Sequence, residues 1–396
     1  INKTAGATGA VTISNNIGAG AAGVTGALEI GNANTSTLTL AGTVYNANAA
    51  TYTAAAGGTG NNISLTNAAG VTFTSSNDAI TFGTSNILLG NGSDLVVNST
   101  GGDISVVAIT GTSVEDVTLN AAAGNVTVGV IGAADGQISD VVLTGTTINL
   151  GGNITTDDDA DAGDVDINGN VILTAAVTID TSDAGGAVDG TFDISGTVDG
   201  AFDLDIITDS AIAGIGGVIG GTTALATLDI NKTAGATGAV TISNNIGTTT
   251  AAGVTGATLI GNANTSTLTL AGTVYNANAA TYTAVAGDNI SLTAGADVTF
   301  TSSNDAITFG TANILLGNGS DLVVTTGSGA GNIGVVAITG NSVEDVTLSA
   351  GTGNVTVGVI GAAAAQINDV TLSGTTINLG GNINTDNDGT DLGDVD

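Results

Sequence analysis

Short runs of alternating apolar and polar residues recur along the whole chain. Examples are VTIS at 11–14, NISLT at 62–66, DVTLN at 116–120 and NVTVGVI at 125–131. Alternation with a period of two places successive side chains on opposite faces of a β-strand. Gly, Asn, Asp, Ser or Thr separates the runs, which recur about every 8–12 residues, and this spacing predicts an all-β fold.

The connections between these runs favour a β-solenoid. Corners of one or two Gly or Asn residues, with no long connections, allow the chain to turn the same way each time. Small aliphatic side chains suit a narrow interior in which ladders of Val, Ile, Leu, Thr and Asn stack from coil to coil. We expect about 20–30 residues per coil, with coils about 4.8 Å apart. Tandem β-sandwich domains of about 100 residues are the alternative.

The sequence also repeats itself over a much longer interval. The segment INKTAGATGAVTISNNIG occurs at 1–18 and again at 230–247. We therefore divide the chain into a first long repeat, 1–229, and a partial second copy, 230–396, joined without a linker. Neither end has the sequence of a cap. We expect an uncapped rod that continues past both ends, through further chain or through stacking of copies.

The composition excludes several kinds of chemistry. The chain of 396 residues has no Cys, His, Arg, Met, Trp or Pro. It therefore has no thiolate, no imidazole and no Cys or His metal ligand. The absence of Arg removes the bidentate phosphate fork. The absence of Pro leaves every backbone N–H available for pairing between coils. With 42% hydrophobic residues and a mean hydropathy of +0.41, the chain can bury a core.

The charge is strongly negative. Thirty-five Asp and Glu residues against two Lys give a formal net charge of −33. Such a chain repels nucleic acid and anionic membrane surfaces. The chain has no run of about 18 apolar residues, so the sequence predicts no transmembrane helix. We expect neither a nucleic-acid partner nor insertion into a membrane. Small residues, with no oxidisable Met or Cys, fit an abundant extracellular material.

Three segments carry a resemblance to a known class of proteins. They are GGNITTDDDADAGDVDINGNVILTAAVTIDTS (151–182), GTFDISGTVDGAFDLDI (190–206) and GGTTALATLDI (220–230). They resemble the β-strand repeats of very large bacterial surface proteins, the filamentous haemagglutinin-like adhesins and autotransporter passengers. The resemblance implies a secreted, right-handed parallel β-helix at the bacterial cell surface.

That resemblance implies two non-enzymatic functions. The first is an extracellular fibre or surface filament that self-associates head-to-tail or laterally. The second is the stalk of a large adhesin, for which cell-surface or matrix glycans are candidate partners. The chain departs from this class because it lacks the basic and aromatic residues with which some adhesins bind glycans.

Two acidic clusters are the strongest candidate for a binding site. Ca²⁺ takes six to eight hard oxygen ligands, which carboxylates, amides and backbone carbonyls supply. The clusters therefore predict calcium as a cofactor, and the other interpretation is a solvated acidic turn that keeps a β-rod soluble. The candidate ligands are Asp157, Asp159, Asp161, Asp164 and Asp166 in the first copy and Asp386, Asp388, Asp391, Asp394 and Asp396 in the second.

A shorter motif, GNGSDLVV, occurs at 90–97 and 317–324. It resembles one half of a nonapeptide calcium turn that is built between consecutive tandem repeats. Here the motif stands alone in each long repeat. A glycine-permitted corner between two strands explains it without a metal.

Other polar and aromatic residues have competing interpretations. Asp203 and Asp205 share one strand face and mimic paired glycosidase carboxylates. Polysaccharide-acting β-helix enzymes, a further alternative, generally need Arg or Lys near the scissile group. This chain offers only Lys3 and Lys232, which are either ion-pair partners for nearby Asp on another coil or another subunit, or exposed turn residues. Four tyrosines predict a glycan-stacking platform or a lid over an open patch: Tyr45, Tyr52, Tyr275 and Tyr282.

Overall fold

The computed structural model contains two compact units, 1–196 and 197–396. It describes residues 1–4, 6–18, 23–56, 63–90, 92–112, 114–133, 136–156, 162–182, 188–233, 235–287, 289–317, 319–340, 343–363, 365–385 and 393–396. Over these ranges the regular elements are strands, with no helix. The division into units falls between Gly196 and Thr197. The division at 229/230 concerns the sequence repeat and stays a prediction.

The described residues of unit 1 form 17 strands. They are β1 (Val11–Ile13), β2 (Val24–Gly31), β3 (Leu38–Leu40), β4 (Val44–Thr53), β5 (Ile63–Leu65), β6 (Val71–Ser75), β7 (Ile80–Gly83), β8 (Ile87–Leu89), β9 (Leu95–Ser99), β10 (Ile104–Thr110), β11 (Val117–Asn120), β12 (Asn125–Ile131), β13 (Val141–Leu150), β14 (Ile154–Thr155), β15 (Val165–Leu173), β16 (Val177–Asp180) and β17 (Phe192–Ile194).

In unit 2, 19 strands lie within the described ranges. They are β18 (Val198–Asp199), β19 (Leu204–Ile207), β20 (Ala213–Ile215), β21 (Leu228–Ile230), β22 (Val240–Ile242), β23 (Thr258–Ile260), β24 (Leu268–Leu270), β25 (Val274–Asn276), β26 (Ala280–Thr283), β27 (Ile290–Leu292), β28 (Val298–Thr301), β29 (Ile307–Gly310), β30 (Ile314–Leu316), β31 (Leu322–Thr325), β32 (Ile333–Thr339), β33 (Val346–Ser349), β34 (Asn354–Ile360), β35 (Val370–Ser373) and β36 (Thr376–Leu379).

The strands of unit 1 stack in parallel register from coil to coil. In one ladder, Val11 pairs with Leu38, Leu38 with Ile63, and Ile63 with Ile87. These partners are 27, 25 and 24 residues apart, which confirms the expected coil length. Long strands serve two ladders: the first half of β4 pairs with β6 and its second half with β7. Parallel stacking of this kind confirms the β-solenoid, and the β-sandwich alternative is wrong.

Unit 2 stacks in the same way. Val240 pairs with Leu268, Leu268 with Ile290, and Ile290 with Ile314, at separations of 28, 22 and 24 residues. A separate five-stranded sheet runs in the order β25, β28, β31, β33, β35. The two units together contain about 14 turns.

The core of each unit is a set of side-chain columns. Short strands alternate between buried apolar residues and partly exposed polar ones, as the period-two pattern predicts. In unit 1, Leu95, Val117, Val141 and Val165 are in register on successive coils and each is fully buried. Burying one such side chain contributes about 1.5–3 kcal/mol. Stacking the coils therefore buries one apolar column in each ladder.

The four tyrosines lie inside this core. Each is at most 1% exposed, so the hypotheses of a glycan platform and of a lid are wrong. Tyr45 stacks on Phe73 with ring centroids 5.1 Å apart, and Tyr52 stacks on Phe82 at 5.4 Å. The equivalent rings of unit 2, those of Tyr275, Tyr282, Phe300 and Phe309, form the same arrangement. In-register pairing of β4 with β6 and β7 produces the stacks.

The two tyrosine hydroxyls of unit 2 differ in their partners. The Tyr275 hydroxyl accepts a hydrogen bond from the Gly272 N–H at 2.8 Å. The Tyr282 hydroxyl is buried and has no hydrogen-bond partner in the described part of the chain. A buried hydroxyl without a partner costs about 1–3 kcal/mol. The aromatic stack thus contains one hydroxyl that supports the fold and one that weakens it.

We predict opposite effects for two equivalent substitutions. Tyr282→Phe removes the unpartnered hydroxyl and should raise the free energy of unfolding by about 1 kcal/mol or more. Tyr275→Phe leaves the Gly272 N–H buried without its acceptor and should lower it by about 1–3 kcal/mol. Urea unfolding of both variants, followed by circular dichroism, measures the difference. Equal effects of the two substitutions would contradict this assignment.

Candidate functional site: the acidic corners

An aspartate precedes the first strand residue at the same corner of five successive coils in unit 2. In register, Val298 pairs with Leu322, Leu322 with Val346, Val346 with Val370, and Val370 with Val395. The residue before each of these is an aspartate, so the five carboxylates line up along the stack. We call this set the acidic ladder of unit 2: Asp297, Asp321, Asp345, Asp369 and Asp394.

The carboxylates of this ladder hydrogen-bond to the backbone of the next coil. The Asp321 Oδ1 atom accepts the Asp345 N–H at 2.8 Å. The Asp345 Oδ1 atom accepts the Asp369 N–H at 3.1 Å and the Asn368 Nδ2 at 2.9 Å. The Asp369 Oδ1 atom accepts the Asp394 N–H at 2.8 Å. Hydrogen bonds to a charged group contribute about 1.5–3 kcal/mol, so the carboxylates of Asp321, Asp345 and Asp369 each tie two coils together.

Unit 1 has a shorter acidic ladder at the equivalent corner. The Asp94, Asp116 and Asp140 Oδ1 atoms accept the N–H of the next ladder aspartate at 3.1, 3.3 and 2.9 Å respectively. Asp164 ends the series, and its Oδ1 atom accepts the Thr191 N–H at 2.7 Å. Val71 pairs with Leu95 as Val298 pairs with Leu322 in unit 2. The residue before Val71 is Gly70, so a glycine lies at the position that Asp297 occupies in unit 2.

Burial and like charge raise the pKa of two aspartates, Asp321 in the ladder of unit 2 and Asp193 on β17. Burial raises the pKa of Asp321, as do the charges of Asp345, Asp297 and Glu344, while the Asp345 N–H lowers it. Burial together with the charge of Asp166 likewise raises the pKa of Asp193. The ladder geometry therefore combines favourable hydrogen bonds with unfavourable repulsion between carboxylates.

The candidate calcium ligands that the structure describes make separate contacts. Asp164 and Asp394 belong to the two ladders. Asp166 is exposed on β15, in register with Asp193, and the Asp396 N–H bonds to the Val370 carbonyl at 3.0 Å. Within the described ranges no three His, Cys, Asp or Glu side chains form a metal-binding group. Calcium stays a prediction, since the other candidates lie outside the described residues: Asp157, Asp159, Asp161, Asp386, Asp388 and Asp391.

A second corner shows that a neutral amide can make the same contact. In unit 1 the Asp103 Oδ1 atom accepts the Asn125 N–H at 2.8 Å. In unit 2 the Asn332 Oδ1 atom accepts the Asn354 N–H, also at 2.8 Å. These positions are equivalent in the two long repeats. The corner hydrogen bond therefore requires an oxygen acceptor and not a charge.

We predict that Asp103→Asn changes the free energy of unfolding by less than about 0.5 kcal/mol, because Asn keeps the acceptor. Asp103→Ala leaves the Asn125 N–H unpaired and should cost about 1 kcal/mol. Chemical denaturation of the two variants provides the comparison. An Asn variant as unstable as the Ala variant would show that the charge itself is needed.

A buried glutamate occupies the corner beside the unit 1 ladder. Glu115 is fully buried, and its Oε2 atom accepts the Thr112 N–H at 2.6 Å. Its Oε1 atom accepts the Thr112 hydroxyl at 2.7 Å and the Gly92 N–H at 3.2 Å. Glu344 is the buried equivalent in unit 2. Neither glutamate is among the site residues predicted from the sequence. Gly92 has φ +70°, which is the geometry of the glycine corner expected for GNGSDLVV.

The two lysines form ion pairs within their own units. The Lys3 Nζ atom lies 2.8 Å from a Glu29 carboxylate oxygen, with both side chains largely exposed. Lys232 pairs with Asp229. The hydrogen bond that Lys232 donates to the Asp229 carboxylate raises the pKa of Lys232, and burial lowers it. The charges of Asp205 and Asp203 raise this pKa further. Lys232 thus pairs with an aspartate, as one interpretation expected, whereas Lys3 pairs with a glutamate. Both lysine side chains are also exposed, and exposed pairs stabilise a fold by at most about 1 kcal/mol.

A groove of about 390 Å³ lies on unit 1. Asn46, Asn48, Thr25 and Ser76 are among the described residues that line it, and none of the described lining residues is charged. Those polar side chains offer neutral hydrogen-bond donors and acceptors.

No protein family, curated protein or solved structure matches the chain. The described residues include no helix that is long and apolar enough to cross a membrane.

Proposed function

We propose that the protein is a non-enzymatic structural component of an extracellular filament at a bacterial cell surface. The observation that carries this proposal is the use of side chains for stacking. Interior positions form apolar and aromatic columns, and corner carboxylates and amides bond to the backbone of the next coil. These corner side chains thereby help to hold one coil on another.

Mechanical function follows from how such a stack gains stability. Each coil contacts its neighbours along the chain, so stability grows roughly as a sum of coil and interface contributions. A repeated sequence extends the stack without requiring a new core. We propose that copies associate head-to-tail or laterally, since coil edges of the same kind can pair in register. The stalk of an adhesin is the alternative within the same proposal, with surface or matrix glycans as its partners.

Charge is the main obstacle to association between copies. A net charge of −33 on each chain produces mutual repulsion. We propose that divalent cations, calcium in particular, reduce this repulsion by screening or bridging acidic turns. Calcium thus enters the proposal as a condition for assembly.

We expect electron microscopy of the native material to show uniform filaments that lengthen in millimolar Ca²⁺ and shorten in EDTA at fixed ionic strength. Mg²⁺ at the same concentration is the control for general screening. Isolated stalks, each ending in a globular tip, would support the adhesin alternative. Filaments of unchanged length in EDTA would contradict the role of calcium in assembly. Particles that never associate would contradict the filament itself.

A further inference from the structure

The corner hydrogen bonds of the acidic ladder of unit 2 do not require a charged acceptor. Asn332 makes the equivalent corner contact with a neutral amide, at the same 2.8 Å as the Asp321 contact. The ladder nevertheless places Asp297, Asp321 and Asp345 at one corner of three successive coils. Coils in a parallel stack are about 4.8 Å apart. Carboxylates at this spacing repel one another strongly when they are partly buried.

No cation offsets this repulsion in the described part of unit 2. The groups that face Asp321 from the neighbouring coils are Asp297, Asp345 and Glu344, all of them acidic. Lys232 is the one basic side chain of unit 2, and it is paired with Asp229. The ladder is therefore held together by hydrogen bonds and pushed apart by charge.

We propose that the acidic ladder of unit 2 is a pH-sensitive clamp, in which protonation of Asp321 tightens the contact between its coil and the coils on either side. Protonation removes the charge between Asp297 and Asp345. The remaining carbonyl oxygen still accepts the Asp345 N–H, as the Asn332 amide oxygen does for Asn354. Acid thus removes the repulsion and keeps the hydrogen bond.

The direction of the pH effect follows from the environment of Asp321. Burial and the neighbouring acids raise its pKa above the ordinary value, so the folded chain binds this proton more readily than the unfolded chain. The stability of these coils therefore increases as the pH falls from neutrality through the folded-state pKa towards the ordinary Asp pKa of about 4. Below that ordinary value this group adds nothing more.

Amide hydrogen exchange of the full chain, measured by mass spectrometry, tests the clamp locally. Protection of β31 and β33, corrected for intrinsic exchange rates, should rise several-fold between about pH 7.5 and about pH 5. Strands β22 and β24, which lie outside the ladder, provide the internal reference for general relief of charge. Their protection should rise less.

Three variants separate charge from hydrogen bonding. Asp321→Asn should protect β31 and β33 at about pH 7.5 as well as acid does, and should abolish the further rise. Asp321→Ala loses the acceptor and should reduce protection at both pH values. Asp94→Asn is the matched control in unit 1, where Gly70 replaces one acidic neighbour, and its effect on β9 and β11 should be smaller.

Two results would overturn the clamp. One is an equal rise in β22, β24, β31 and β33, which would assign the effect to net charge. The other is an unchanged pH dependence in Asp321→Asn. The comparison of β22 and β24 with β31 and β33 uses the unmodified protein. It therefore distinguishes a local effect from an effect of net charge even if a substitution impairs folding.

Discussion

Parallel, in-register stacking of coils is the constraint on which the rest of the structure depends. Successive coils lie about 4.8 Å apart, so each side chain faces the side chain at the same position one coil earlier and one coil later. The stacking therefore restricts which residue each position accepts. A residue suits its position only if it can tolerate its neighbours in the column, and a repeated sequence places similar residues against one another.

This constraint helps apolar residues and penalises charged ones. Val, Leu and Ile columns bury their side chains at every step, and stacked rings such as Tyr275 and Phe300 lie 4.7 Å apart. The same rule brings Asp321 next to Asp345. The backbone N–H groups of Asp345 and Asp369 donate hydrogen bonds to the carboxylates of Asp321 and Asp345, and these bonds oppose the repulsion. Charge at these corners therefore opposes the stacking that the apolar columns favour.

The fold could be predicted from the sequence because two periods are visible in it. The period of two identified strands, and the spacing of short corners favoured a solenoid with coils of the observed length. The prediction that the tyrosines lie at the surface was wrong because β4 turns a corner. Its burial pattern shifts phase between Ala47 and Ala50, so Tyr45 and Tyr52, seven residues apart, both point inward. A straight strand would place them on opposite faces.

The acidic ladders could not be predicted because they depend on register. The separation between paired strand residues on adjacent coils varies from 22 to 30 residues, and only the pairing of Leu322 with Val346 shows that Asp321 and Asp345 are neighbours. An aspartate immediately before each apolar run was the available signal. The burial of Glu115 was equally hidden, since its three donors come from Thr112 and from Gly92 on the preceding coil.

Spin labels at an in-register pair test the stacking most directly, and the absence of native Cys makes the labelling specific. Thr127 and Asn149 are partners on adjacent coils, with the Asn149 Nδ2 atom 3.2 Å from the Thr127 Oγ1 atom. Nitroxides at Thr127→Cys and Asn149→Cys should show strong dipolar broadening that is absent from either single label. Spectra of the double variant that equal the sum of the singles would contradict the stacked-coil account.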